Sequence, residues 1–143
     1  ENMEEKLLKT LFKLANKSYK KNEFPVSAII FDQNGIISCG YNKRNRTNQT
    51  TDHAEIIAIK KANSKLKTWR LENKCMIVTL EPCKMCEAVI REARIKKVYY
   101  LIPRYQYKKQ YKCTNFITYT SDNIELDKYK EQIEKFFKDK RHK

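Results

Sequence analysis

The sequence predicts an α/β protein, a three-layer α/β/α sandwich on a mixed five-stranded sheet. Two observations carry this reading. Two short runs of β-branched and aromatic residues flank Asp32-Gln33-Asn34-Gly35, the residue types of a hairpin turn. Beyond the hairpin, strand-length apolar runs alternate with segments of helical periodicity, which sets further strands and covering helices beside it.

In chain order, Leu7, Leu8, Leu11, Leu14, Ala15 and Tyr19 mark the apolar stripe of a first helix. Pro25 to Phe31 is the first strand and Ile36 to Tyr41 the second. Asn42 to Thr51 is polar and basic and reads as a loop. Asp52 is expected to cap the next helix, with Glu55 three residues on completing a capping box. That helix runs from His53 to Asn63 through Ile56, Ile57, Ile59 and Ala62. Lys74 to Leu80 is a buried strand. A helix started near Cys83 continues through Glu87 to Ala93, and Val98 to Ile102 is a further strand. Asn115 to Tyr119 is the candidate fifth strand, and Leu126, Tyr129, Ile133, Phe136 and Phe137 give a closing helix.

With 143 residues, 41% of them hydrophobic, residues 1–143 are expected to form one domain with a core that needs no disulfide staples. No apolar run approaches membrane-spanning length, and from Glu1-Asn2-Met3-Glu4-Glu5 no secretion signal is expected. Five cysteines without such a signal fit free thiols in a reducing cytoplasm, with Cys39 and Cys75 read as core residues. The balance of 31 basic to 17 acidic residues, a net charge of +14, favours polyanionic partners. Lys60-Lys61 and Lys65 to Lys67 read as a solvated helix face.

The chemistry is concentrated in His53-Ala54-Glu55 and Pro82-Cys83-Lys84-Met85-Cys86. Two thiols spaced Cys-x-x-Cys at a helix start point into one small volume, and the helix N-terminus favours their thiolate form. With His53 they give three ligands to a tetrahedral zinc and leave a fourth position for water, the pattern of a catalytic site. Glu55, two residues from His53, would stand near that water without ligating. A carboxylate there can take a proton from water and hand it to a leaving amine. Hydrolytic deamination of a nucleobase needs both steps, and H-x-E…P-C-x-x-C is its general pattern in zinc deaminases.

These residues resemble a cytidine-deaminase-like fold, and most of all the bacterial tRNA-specific adenosine deaminases. Four segments carry the likeness: Asn22-Glu23-Phe24-Pro25-Val26, Asn42, His53-Ala54-Glu55-Ile56, and Val78-Thr79-Leu80-Glu81-Pro82-Cys83-Lys84-Met85-Cys86. It covers about residues 4 to 101 and resumes at Phe136-Phe137. The resemblance implies a bound zinc, a homodimer, and conversion of a tRNA wobble adenosine to inosine. It also implies that Asn42 contacts the nucleotide and that Val26 and Ala54 line the pocket. Two departures stand out. Ser27 replaces the family's usual Gly, and Leu101 to Lys112 replaces a segment rich in Gly and Ala.

Arg104 to Lys112 interleaves four basic residues with three tyrosines. Arg104, Tyr105, Tyr107, Lys108 and Lys109 are therefore candidate contacts to unpaired RNA, where cations meet phosphate and rings stack on bases. Lys43, Arg44 and Arg46 form a second basic cluster beside Asn42. A solvated edge loop is the plainer reading of the first group. The expected function is thus a cytoplasmic zinc hydrolase acting on tRNA. The rivals are a deaminase of a free base, nucleoside or nucleotide, of guanine, cytosine or dCMP type, and a non-catalytic RNA-binding partner with the same fold. The intact Glu55 argues against the last.

Overall fold

The computed structural model describes residues 2–103, 116–118, 127–132 and 134–135. Helix α1 (Met3–Lys20) opens where the Asn2 side-chain oxygen accepts the Glu5 N–H at 2.8 Å, and it carries Glu4 and Glu5 in its first turn and Lys17 and Lys20 in its last. Cap and charges both match the helix dipole. Its buried face is Leu7, Leu8, Leu11, Phe12, Ala15 and Ser18. Leu14 and Tyr19, expected in the stripe, are only half-buried at its flanks. Ser18 takes a buried place because its hydroxyl lies 3.2 Å from the Phe24 carbonyl and 3.1 Å from that of Asn42. The helix stops at Asn22, in the left-handed region at φ 61°, with the Glu23 N–H returned to the Ser18 carbonyl.

Strands β1 (Ser27–Asp32) and β2 (Gly35–Tyr41) form the expected hairpin. The Asp32 carboxylate accepts the Asn34 N–H at 2.9 Å, and Gly35 at φ 126° supplies backbone that other residues resist. The first strand begins at Ser27, not Pro25, because proline has no N–H for the ladder and the Val26 N–H bonds the Phe24 carbonyl. Strands β3 (Cys75–Leu80), β4 (Lys97–Ile102) and β5 (Phe116–Thr118) complete a five-stranded sheet in the order β2-β1-β3-β4-β5. β1 is antiparallel to both β2 and β3, whereas β4 and β5 run parallel to β3.

Side-chain alternation along the strands divides the core in two. Ala28, Ile30, Met76, Val78, Val98 and Tyr100 pack with residues of α3 (Ala54–Leu66) and α4 (Lys84–Glu92) on one face. Ile29, Ile77 and Leu101 pack with α1 and Tyr129 on the other. Residues 127–132 and 134–135 are helical, as expected of the closing stripe. The result is the three-layer α/β/α arrangement with a mixed sheet. Leu126, Ile133, Phe136 and Phe137 lie outside the described residues or their described side chains. Among the described residues, no helix is long and apolar enough to cross a membrane.

Two details depart from expectation, and a third accounts for a residue the sequence singled out. The polar segment after β2 contains a short helix, α2 (Arg44–Thr47). Cys39 and Cys75 are half-buried, with Cys39 on the margin of the α1-side core. Ser27, in place of a glycine, is fully buried, and its hydroxyl donates to the Leu11 carbonyl on α1. A satisfied hydroxyl removes the penalty that burying it would otherwise carry.

Gly40 seats α3 on β2. A Cβ there would overlap the Ala54 carbonyl oxygen and stand 2.9 Å from the Ala58 nitrogen, both backbone atoms that cannot turn aside. Gly40→Ala is expected to lower stability by about 1–3 kcal/mol, the usual range for overpacking. The urea unfolding midpoint measures it, and a midpoint equal to the parent's would show that α3 tolerates displacement. Ala54 lies between His53 and Glu55, so this contact positions the start of the helix that carries both.

Candidate metal centre

Two helix starts on one face of the sheet build the site. His53 is the N-cap of α3, extended at φ −79° and ψ 152°, and its carbonyl accepts the Ile57 N–H at 3.0 Å. The helix therefore begins one residue later than an Asp52 cap would have it. The His53 side chain makes no capping bond, and its imidazole turns to the thiols instead. Cys83 is the N-cap of α4, and its carbonyl accepts the Glu87 N–H at 2.8 Å. Cys86 follows in the first turn and is fully buried.

His53 Nδ1 lies 3.7 Å from Cys83 Sγ and 3.4 Å from Cys86 Sγ, and the three donor atoms all fall within 4.8 Å of one another. Ordinary zinc–nitrogen and zinc–sulfur bonds at tetrahedral angles put nitrogen and sulfur about 3.6 Å apart. The spacing and the donor set thus fit one zinc ion. Among the described residues, no other His, Cys, Asp or Glu joins this group. Without a metal, the pair favours the thiolate on Cys83 and the protonated thiol on Cys86. Cys83 is pulled well below the usual thiol range, first by the Cys86 thiol and then, against its burial, by His53. Cys86 is pushed up by its bond to Cys83, by burial and by the charge of Glu55. A metal ion displaces such a proton and takes two thiolates.

Glu55 is 1% exposed and close enough to Cys86 for a hydrogen bond. It is not one of the three donor residues. On the imidazole's far side, Arg44 Nη1 lies 3.2 Å from His53 Nε2. A metal on Nδ1 puts the ring proton on Nε2, so that contact and metal ligation exclude each other.

Val26 and Ala54 are buried in the same apolar cluster. Asn42 is half-buried next to them in the chain path: its N–H bonds the Val26 carbonyl, its amide nitrogen lies 3.3 Å from the Phe24 carbonyl, and its oxygen accepts the Arg44 N–H at 3.1 Å. Each amide atom keeps capacity for one more bond. Lys43 is half-buried, and Arg44 and Arg46 are exposed on α2. Arg104, Tyr105, Tyr107, Lys108 and Lys109 lie outside the described residues.

Sequence reasoning missed Glu23. It is 1% exposed, and its carboxylate accepts the Asn45 N–H at 2.9 Å and the Arg46 N–H at 2.8 Å. It caps α2 from a distance and so holds the segment carrying Asn42 and Arg44. The one available signal was an acidic residue entering an apolar run, Glu23-Phe24-Pro25-Val26.

Comparison with known proteins bears on this site. Residues 1–102 match the family described as the cytidine and deoxycytidylate deaminase zinc-binding region. A tRNA-specific adenosine deaminase of Streptococcus pyogenes is 43% identical over 88 residues, covering 62% of this chain and 55% of the relative. The chain thus spans about half the length of the curated relatives it matches. A structure solved in work on A-to-I editing by tRNA:A34 deaminases superposes with a TM-score of 0.69 at 26% identity, covering 78% of this chain and 95% of that one. Guanine deaminase from Bacillus subtilis gives a TM-score of 0.65 at 34% identity, covering 69% of this chain and 64% of that one.

Proposed function

The chain belongs to the cytidine and deoxycytidylate deaminase zinc-binding family, and from that premise we propose that residues 1–143 act as one deaminase domain that hydrolyses a nucleobase amine, converting wobble adenosine in tRNA to inosine. The observation that carries the proposal is the buried Glu55 carboxylate beside a His–Cys–Cys donor set that it does not join. His53, Cys83 and Cys86 hold the zinc, which when bound supplies a Lewis acid that lowers the pKa of water. Glu55 accepts the proton of the attacking water and returns it to the leaving nitrogen, so that water enters and ammonia departs. Val26 and Ala54 give the base an apolar floor and exclude water. Asn42, fixed through Phe24 and Arg44, offers its remaining amide capacity to the nucleotide. The net charge of +14 supports a polyanionic substrate. The relatives' activity supports a cytoplasmic enzyme, and the family likeness a homodimer.

A second reading, deamination of free guanine, is favoured by the likeness to the Bacillus subtilis enzyme. Incubation of the purified protein with total tRNA, with free adenosine, cytidine and guanine in parallel, separates the two. Inosine is expected to accumulate in tRNA nucleosides after digestion. Efficient conversion of free guanine or cytosine with no inosine in tRNA would overturn the tRNA reading. Sedimentation at micromolar concentration tests the dimer.

A further inference from the structure

Tyr41 ends β2 and is almost fully buried, yet three lysines gather over its ring. Lys17 and Lys21, from the end of α1, stand with Nζ 5.4 Å from the ring centroid, and Lys43, from the segment after β2, stands at 4.8 Å. Lys21 also lies 3.1 Å from the Tyr41 hydroxyl. Among the described residues none of the three ammonium groups pairs with a carboxylate. The one buried carboxylate of this region, Glu23, is taken up by the N–H groups of Asn45 and Arg46.

Local structure accounts for part of this. Cations suit the C-terminal end of α1, and a cation over an aromatic face is weakly favourable. The end of α1 does not account for Lys43, which comes from another segment. That residue is the N-cap of α2, makes no side-chain capping bond, and occupies a position where Ser, Asn or Asp would stabilise the helix. Three like charges drawn from two elements to one ring repel each other unless an anion joins them. Their combined field also pulls the Tyr41 phenol below its usual range, first through the bond from Lys21.

We propose that Lys17, Lys21 and Lys43, gathered over Tyr41, bind the phosphodiester backbone of a single-stranded RNA segment whose base enters the metal site. The proposal rests on the RNA reading above. The chain path supports the placement: Asn42 follows Tyr41, and its N–H bonds the carbonyl of Val26, which packs in the same apolar cluster as Ala54, the residue after His53. In this arrangement the three ammonium groups around one ring meet the phosphates while the base passes on toward Asn42.

The test compares Lys17→Gln/Lys21→Gln/Lys43→Gln with a charge-matched control, Lys60→Gln/Lys61→Gln/Lys67→Gln, in the full chain. The probes are a tRNA anticodon stem-loop, a short unstructured oligoribonucleotide, and phosphatidylserine vesicles, across about 50 to 200 mM salt. The cluster variant is expected to bind both RNAs about tenfold or more weakly, with a salt slope smaller by about 2, at about 0.7 per phosphate on a single strand. The control should stay near the parent. If the triple variant fails to fold, Lys43→Gln alone should lose about a third of that slope change. The proposal is overturned if the cluster variant tracks the control, if the parent does not bind RNA, or if only vesicle binding changes. If the cluster effect appears but the parent makes no inosine from tRNA, the phosphate site stands and the wobble-deaminase reading falls.

Discussion

Glu55→Gln is expected to lower turnover by about 10²- to 10⁴-fold, the usual worth of a general acid–base group, with one zinc per chain retained. Glutamine keeps the shape and burial of Glu55 and can still bond its neighbours, but it cannot take up and release a proton at neutral pH. The position magnifies the loss. At 1% exposure there is no bulk water to take over the proton transfer. Glu55 is also absent from the group of three donors within 4.8 Å of one another, so its replacement leaves the metal ligands whole. The checks are kcat on the substrate identified in the tRNA assay and zinc content by elemental analysis. Near-parent turnover would remove Glu55 from the mechanism. Loss of zinc together with activity would make it a support of the metal instead of a proton carrier.

The metal site was legible in the sequence because its spacing is local in two pieces. Cys83 and Cys86 are three apart on one helix start, and His53 and Glu55 are two apart on another. Only their meeting needed the sheet: strand–helix alternation implied covering helices, and the fold puts these two on the same face. What the sequence did not disclose depends on contacts between distant segments. Glu23 caps α2 from 22 and 23 positions away. Gly40 looks like an ordinary strand glycine until α3 is laid against it. Tyr41 reads as a strand aromatic until α1 brings Lys17 and Lys21 over it. The capping expectation at Asp52 failed for a related reason. Aspartate is the better cap by local preference, but the helix starts where the imidazole can face the thiols, and tertiary demand overrode that preference.

Removing the metal should change stability and activity together without unfolding the chain. Zinc present at about a thousand times its dissociation constant adds about 4 kcal/mol to the folded state, so a strong chelator is expected to lower the melting temperature by on the order of 10 °C. The stripped protein should keep its far-ultraviolet circular dichroism, because both apolar layers, Leu11 with Ile29 and Ile77 on one face and Ile30 with Val78 and Ile90 on the other, close without the metal donors. Cys86→Ala should reproduce the stripped state. It deletes one of three donors from a fully buried position, leaves a small apolar group in its place, and takes zinc content from one per chain to near zero. Cys39→Ala is the control: that thiol is half-buried at the edge of the α1-side core, away from the donor set, and the variant should keep zinc, chelator sensitivity and turnover. The outcome that sinks this account is a Cys86→Ala protein that still holds a full equivalent of zinc and melts lower on chelation, since the metal would then be held by donors other than His53, Cys83 and Cys86.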